Sequence, residues 1–330
     1  MSLPSSGPAV LVAGGAGYIG SHTAKALKQA GMLPIVLDNL STGHRESVRY
    51  GPFYEGPISA AGLVQRIAAE HSPSGAILFA GFIAVGESTQ SPRKYFHNNV
   101  VETLAFLDTL VDLGVRDVVF SSSAAVYGIQ RHMPIAETSP KNPLSPYAET
   151  KLFIERVLQS YGSAYGLRTA FLRYFNAAGA DPGGELGERH HPETHLIPLA
   201  IGAELGGPPL RVFGTDYDTD DGTAVRDYVH VTDLAEGHVS ALRHLMAGGE
   251  SLTLNLGTGV GHSVREVIAE VERAAGHAVP VELAPRREGD APVLVADPSL
   301  AHKSLGWAPR HSSLREIVET AWKWHRGANR

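Results

Sequence analysis

Ala9-Val-Leu-Val-Ala-Gly14-Gly-Ala-Gly17-Tyr-Ile-Gly20-Ser21 is the stretch that decides the fold of this 330-residue chain. Ala9 to Ala13 is an apolar run that reads as a strand. The glycines that follow are spaced G-x-x-G-x-x-G, and an amphipathic stretch from about Ile19 to Ala30 reads as a helix. A strand that turns tightly into a helix aims free N–H groups and the positive end of the helix dipole at the turn. Glycine at Gly14, Gly17 and Gly20 lets the backbone come close to an anion, and in this order the pattern points to a dinucleotide pyrophosphate.

The rest of the first half repeats the alternation. Pro34 to Asp38 reads as the second strand, Phe53 to Glu55 as a weaker third, and Ala60 to His71 as a helix. Ala76 to Ala80 and Asp117 to Ser121 read as strands, with one long helix from about Pro92 to Leu113 between them. A further helix covers about Tyr147 to Tyr165, and Arg168 to Arg173 is strand-like. Continuous apolar strands separated by helices mean a parallel sheet covered on both faces. The expected fold is α/β, a Rossmann-type doubly wound parallel sheet with a smaller mixed α/β substrate domain. After about Asn176 turn clusters multiply (Asp181 to Gly184, Gly206 to Pro209) and the elements shorten. The expected division is 1–176 as the dinucleotide-binding domain, completed by parts of 222–260, and 177–330 as the nucleotide-sugar domain. Asp38 closes the second strand 18 residues after Gly20. A carboxylate there accepts bonds from adenosine ribose hydroxyls and repels a 2′-phosphate, which favours NAD over NADP.

Composition removes several alternatives. The formal net charge is −6 with 19% charged residues, so no basic stripe points to nucleic acid. No apolar run approaches the roughly 20 residues of a membrane span. Met1 to Pro8 has no basic region before an apolar stretch and does not read as a secretory signal, so a cytoplasmic protein is expected. There is no cysteine, which excludes disulfides, thiolate metal sites and cysteine nucleophiles.

Tyr147 and Lys151 lie four residues apart on an expected helix and share one face. A free tyrosine, with a pKa of about 10, is a poor base at neutral pH. A lysine ammonium and a nicotinium charge nearby would stabilise its phenolate, and poising it near neutrality takes roughly 4 kcal/mol. Ser123, just past the strand ending at Ser121, is placed to hydrogen-bond the reacting hydroxyl.

On these residues the chain resembles the extended short-chain dehydrogenase/reductase family, and within it is similar to the UDP-glucose 4-epimerases. The resemblance is carried by Gly14–Ser21 (GGAGYIGS), Leu37–Leu40 (LDNL), Phe79–Gly81 (FAG), Ala84–Ser88 (AVGES) and Asn98–Val100 (NNV). It continues through Ser121–Gly128 (SSSAAVYG), Ser145–Tyr147 (SPY) with Lys151, and Arg173–Asn176 (RYFN). In the second half it rests on Asp221-Gly222, Val225–Val231 (VRDYVHV) and Ala284–Asp290 (APRREGD). The resemblance implies an NAD-dependent isomerase that interconverts UDP-galactose and UDP-glucose at C4 through a 4-keto intermediate, in a cytoplasmic homodimer of galactose metabolism. It implies catalytic roles for Ser123, Tyr147 and Lys151: Tyr147 takes the O4 proton with help from Ser123, and Lys151 holds the nicotinamide ribose. The cofactor contacts it implies are Gly14, Gly17, Tyr18, Ile19, Gly20, Asp38, Asn39, Ile58, Phe79, Ala80, Gly81, Asn98, Ser121, Tyr147, Lys151 and Phe175. For the UDP-sugar it implies Ser123, Tyr147, Asn176, His195, Leu196, Phe213, Arg226, Tyr228, Arg287, Asp290 and Leu294. Arg226 and Arg287 suit phosphate oxygens, and Asp290 suits uridine ribose hydroxyls.

Three positions depart from the family pattern, and two clusters compete with it. Pro57 stands where relatives carry an aspartate near adenine, and Ile83 where many carry a lysine, so weaker NAD binding is expected. Leu294 stands where a tyrosine in some relatives is associated with excluding N-acetylated sugars. UDP-N-acetylhexosamine and UDP-pentose therefore stay open as substrates. A 4,6-dehydratase needs an Asp-Glu pair where this chain has Ala124-Ala125, and a non-catalytic NAD-binding module is at odds with the intact Ser123, Tyr147 and Lys151. His190, His191, Glu193 and His195 look like metal ligands, but Pro192 breaks any helical face and the resemblance assigns the segment to a loop over the uridine end. Asp216, Asp218, Asp220 and Asp221 lack the glycine and the glutamate of a calcium loop. No metal is expected.

Overall fold

The computed structural model describes residues 7–287 and 289–328. Met1 to Ser6, in the polar opening stretch, and Glu288, in the 284–290 motif, lie outside them. The first half runs β1 (Ala9–Ala13), α1 (Tyr18–Gln29), β2 (Leu33–Asp38), β3 (Phe53–Glu55), α2 (Ala61–His71), β4 (Gly75–Leu78), α3 (Val85–Gln90) and α4 (Pro92–Tyr95). It continues with α5 (Glu102–Asp112), β5 (Asp117–Ser121), α6 (Pro146–Tyr165) and β6 (Arg168–Tyr174). The second half adds β7 (Asn176–Ala178), α7 (Leu196–Glu204), β8 (Leu210–Phe213), β9 (Val225–Arg226), β10 (Tyr228–His230) and α8 (Val231–Met246). Then come β11 (Leu252–Leu256), β12 (His262–Ser263), α9 (Val264–Ala275), β13 (Val281–Ala284), β14 (Val293–Leu294), α10 (Ser299–Leu305) and α11 (Leu314–Ala328).

Seven strands form one sheet in the order β11-β6-β5-β4-β1-β2-β3. β1 pairs in parallel with β2 on one side and β4 on the other, and β2–β3, β4–β5 and β5–β6 are parallel as well. β1 and β5 are buried at every position, as strands covered on both faces must be. The strand order reverses between β1 and β4, and the crevice outside their carboxyl ends is where doubly wound sheets bind ligands. The Rossmann-type α/β architecture expected from the sequence is the one observed.

Two compact units divide the chain. One holds residues up to Val126 with Pro143–Arg173 and Ala235–Leu254; the other holds Tyr127–Asn142, Tyr174–Leu234 and the residues from Asn255 onward. The first unit is built on a core that includes Leu11, Ile35, Leu78, Phe106, Leu107, Val118 and Leu158. The second has its own, around Ile197, Ile201, Val212, Val267, Val271, Ile317 and Val318. Small sheets frame it: β7 with β10, β8 with β13, and β12-β9-β14.

The helix expected over 92–113 is not one regular helix. Between α4 and α5 the backbone forms a π-helical turn, Phe96–Val101. The wider turn brings Asn99 inward, where its amide meets both polar groups of the Phe82 backbone. A short helix, α3, precedes it where the sequence suggests none.

Candidate active site

In the first unit the glycine turn is fitted to its position by sterics. Gly14 has φ +82°, and a Cβ there would lie 2.5 Å from the Ala80 nitrogen in the loop after β4. A Cβ on Gly20 would lie 2.3 Å from the Gly14 carbonyl oxygen. At Gly17 the nearest atom to such a Cβ is that same oxygen, 3.5 Å away, so one side of this backbone is open. Gly17 caps α1 with no side chain on the free N–H groups and no acid in the first turn. This is a helix N-terminus kept clear for an anion. Tyr18 and Ile19 begin the same turn.

Asp38 closes β2 and is buried. Its Oδ2 accepts from the Ala16 N–H at 2.9 Å and its Oδ1 from the Leu40 N–H at 2.8 Å. Burial raises its pKa above the ordinary carboxylate value, against the lowering effect of those two bonds. The carboxylate thus ties the glycine turn to the end of β2 and keeps lone pairs for ribose hydroxyls. Asn39, next to it, is exposed, and Ile58 is part of the core. Asp38→Asn should weaken NAD binding about tenfold and narrow the preference over NADP, because a neutral side chain no longer repels a 2′-phosphate. Equilibrium dialysis with both nucleotides measures this, and an unchanged NAD/NADP ratio would defeat it.

After β4, Phe79 packs on the His238 ring with centroids 4.7 Å apart. Asn99 pins the following residues: its Oδ1 accepts from the Phe82 N–H at 2.8 Å and its Nδ2 donates to the Phe82 carbonyl at 3.0 Å. Gly81 lies against the same amide. Asn98, the asparagine singled out in the sequence, instead donates to Asn99 Oδ1 at 2.9 Å and supports it. Pro57 and the exposed Ile83 stand in the loops where the family pattern has polar cofactor contacts.

Ser121 and Ser123 leave the end of β5, and Tyr147 and Lys151 stand one turn apart on α6. Ser145 caps that helix by accepting the Ala148 N–H, and Pro146 occupies its first position. Tyr147 is 6% exposed and Lys151 4%. Ser123 Oγ accepts the Ala125 N–H at 3.1 Å, and the Ser123 hydroxyl acts on the Tyr147 phenol in the direction that favours its ionised form. Lys151 Nζ donates to the Ser121 carbonyl at 2.8 Å and lies 6.0 Å from the Tyr147 ring centroid. Burial pushes the tyrosine above its ordinary pKa, and Ser123 opposes that shift. Burial also lowers Lys151 to about 8, against the support of Glu155. The lowering of Tyr147 by Lys151 expected from the sequence is therefore not seen in the protein alone. Desolvation dominates both groups, and the ammonium is turned to a carbonyl.

Glu155 was not picked out by the sequence reading. It continues the face of Tyr147 and Lys151 by one more turn, and that spacing was the available signal. Its Oε1 takes the Ser122 hydroxyl at 2.6 Å and the Arg173 Nε at 2.9 Å, and its Oε2 takes Arg173 Nη2 at 2.5 Å. Side-chain exposures of 4% and 2% make this a buried ion pair under the catalytic face.

In the second unit the expected nucleotide-sugar residues fall into four groups. Arg226, on β9, pairs with Asp290, and the β9–β14 register sets Leu294 beside Arg226. Phe213, on β8, lies under the Arg287 guanidinium at 3.9 Å. The neighbouring Arg286 is engaged with Asp216 and Tyr217, whereas Arg287 has no ion pair among the described residues. Asn176 donates to the Asp227 carbonyl at 2.9 Å, with Phe175 preceding it and Tyr228 buried on β10. Burial raises the Tyr228 phenol. His195 precedes Leu196 at the start of α7, and bonds to Glu188 and Glu193 outweigh burial and raise its pKa to about 10. Asp227 is a further residue that sequence reasoning missed: it accepts from Thr258 and Gly259 N–H groups and from Thr258 Oγ1, fixing the turn after β11.

The family profile described as "NAD dependent epimerase/dehydratase family" matches residues 10–257. The chain is 48% identical to the UDP-glucose 4-epimerase of Rhizobium leguminosarum bv. trifolii, over 98% of this chain and 99% of that one. It is similar to the crystal structure of UDP-glucose 4-epimerase from Brucella ovis in complex with NAD, with TM-score 0.94, 50% identity, and coverage of 96% and 97% of the two chains. It is similar also to the Stenotrophomonas maltophila UDP-glucose-4-epimerase with bound NAD and formylated UDP-arabinopyranose. There the TM-score is 0.94 and the identity 41%, over 98% and 99% of the chains.

Proposed function

The chain belongs to the NAD dependent epimerase/dehydratase family, and we propose that it interconverts UDP-glucose and UDP-galactose by inverting C4 through a 4-keto sugar. The observation that carries this reading is the buried Tyr147 phenol one turn from the buried Lys151 on α6, in the unit that holds Ser123 and the clear N-terminus of α1. The glycine turn and Asp38 fit the pyrophosphate and adenosine ribose of NAD. When bound, NAD supplies a reversible hydride acceptor for C4 and a positive nicotinium ring.

Tyr147 takes the O4 proton as the C4–H bond breaks, and Ser123 donates to O4 and stabilises its developing negative charge. The same phenol returns the proton when the keto sugar has turned over and C4 is reduced on its other face. Arg226 and Arg287 bind the diphosphate, Asp290 the uridine ribose, and Asn176, Phe213, Tyr228 and Leu196 the rest of the nucleotide. A strong hold on UDP and a weak hold on the hexose is what lets the sugar turn. Leu294, smaller than tyrosine, leaves room for an N-acetyl group. Incubation with UDP-galactose and NAD⁺ tests the reading: UDP-glucose supports it, a 4-keto-6-deoxy sugar would assign a dehydratase, and no change a binding module.

NAD is held less tightly than in relatives with an aspartate near adenine and a lysine after β4. Each missing hydrogen bond costs about 1 kcal/mol, or several-fold in affinity. Purified protein should therefore carry clearly less than one NAD per chain, and full occupancy on acid extraction would sink this.

The working form is a homodimer in the cytoplasm. No helix among the described residues is long and apolar enough to cross a membrane. Phe96 and Val101 on the π-helical turn and Phe153 on α6 are 43%, 53% and 45% exposed, large apolar side chains that a second copy would cover. Phe153→Glu should halve the mass seen by light scattering; a wild-type protein that is already monomeric would refute the dimer.

A further inference from the structure

The sequence shows His190, His191, Glu193 and His195 and gives no common face for them. The structure selects differently. It leaves His191 exposed and adds Glu188, whose carboxylate is 4% exposed. Nδ1 of His195 stands 2.9 Å from Glu188 Oε1 and 2.9 Å from Glu193 Oε1. Nδ1 of His190 stands 3.2 Å from Glu188 Oε1 and 3.6 Å from Glu193 Oε2. One ligand atom from each of the four residues lies within 4.8 Å of all the others.

We propose that Glu188, His190, Glu193 and His195 form a binding site for one divalent cation of the zinc class, fastening the loop ahead of α7 in the second unit. Two imidazoles and two carboxylates are a donor set suited to such ions. The distances fit as well. Ligand bonds of about 2.1 Å place neighbouring donors about 3.0 Å apart around an octahedral ion and about 3.4 Å apart around a tetrahedral one. The four N···O separations run from 2.9 to 3.6 Å, around that range, with Glu193 offering Oε1 to His195 and Oε2 to His190.

The crowding of acceptors gives a second argument. The buried Glu188 Oε1 has His195 Nδ1 at 2.9 Å and His190 Nδ1 at 3.2 Å, and the Glu193 carboxylate lies against the same two imidazoles. One imidazole N–H makes one straight hydrogen bond, yet two carboxylate oxygens converge on His195 Nδ1.

The donors are also held in place by groups outside the set. Trp324 Nε1 donates to the Glu188 carbonyl at 3.0 Å, and a Cβ on Gly187 would lie 2.3 Å from the Trp324 ring. The Thr194 N–H donates to Glu193 Oε1 at 2.7 Å. This packing orients the donors before any ion arrives.

Tag-free, metal-stripped protein titrated with cobalt(II) tests the proposal. One equivalent should bind and give visible d–d absorption distinct from the hydrated ion, and zinc should remove it. Glu188→Gln and His190→Ala should each weaken cobalt binding on the order of 100-fold or more, while His277→Ala, a histidine outside the set, should not. Circular dichroism checks that the variants are folded, and His190→Ala, at a part-exposed position, keeps the test usable if Glu188→Gln fails to fold. A wild-type spectrum that stays that of the hydrated ion would overturn the site, as would cobalt binding that survives both substitutions. In either case the cluster is a protonated histidine–glutamate network only.

Discussion

Tyr147→Phe should lower kcat for UDP-galactose epimerisation by about 10²–10⁴-fold while leaving the KM and the bound UDP-sugar nearly unchanged. The substitution removes one hydroxyl from a ring that is otherwise packed in place, so the helix face and the fold stay intact. What disappears is the group that takes and returns the O4 proton. Burial holds this phenol above its usual pKa and Ser123 alone opposes that shift, so the protein by itself keeps the tyrosine protonated. It becomes a base only when positive charge arrives beside it. Ser123→Ala should therefore also slow the reaction, but less, since it removes one stabilising bond and not the base. A Tyr147→Phe variant that retains more than about a tenth of wild-type kcat would show that another group moves the proton.

The largest expected loss of stability is at Glu155. Its carboxylate is surrounded by Arg173 and the Ser122 hydroxyl, and both partners of the ion pair are almost fully buried. Removing one partner leaves the other charge in a dry site, which costs about 3–5 kcal/mol. Glu155→Ala should thus move the urea midpoint far down, and Arg173→Met should do the same from the other side. Replacing both together should recover much of the loss, because an apolar pair leaves no unpaired charge. Single variants within about 1 kcal/mol of wild type would show that water reaches the pair. The site also feels the change: Glu155 supports the charge on Lys151, whose own burial lowers it to about 8.

The sheet was readable because its central strands carry short apolar runs and the turn after β1 is written in glycine. β1, β2, β3 and β5 begin and end within about a residue of their sequence readings, because short apolar runs stop at a polar or glycine residue: Gly14 after β1, Asp38 in β2, Glu55 in β3 and Ser121 in β5. The α4–α5 region was not readable in the same way. A π-helical turn changes the angular step by a small amount over six residues, and the apolar spacing around Phe96–Val101 does not reveal it. That turn is what makes Asn99, and not Asn98, the residue that holds the loop after β4. Spacing alone put Tyr147 and Lys151 on one face. It could not show that the ammonium turns to the Ser121 carbonyl, because that depends on where β5 ends relative to α6. Glu155 and Glu188 escaped for a related reason. A buried acid is identified by its partners, and Arg173 comes from another strand while the histidines around Glu188 are gathered by a loop packed on Trp324.

One measurement bears most directly on the proposed reaction. UDP-galactose is incubated with the protein and NAD⁺ in D₂O and followed by proton NMR. The expected result is UDP-glucose with its C4 hydrogen fully protiated, because the hydride leaves and returns without exchanging with solvent. Deuterium at C4 of the product, or UDP-galactose left unchanged by the NAD-loaded protein, would contradict it.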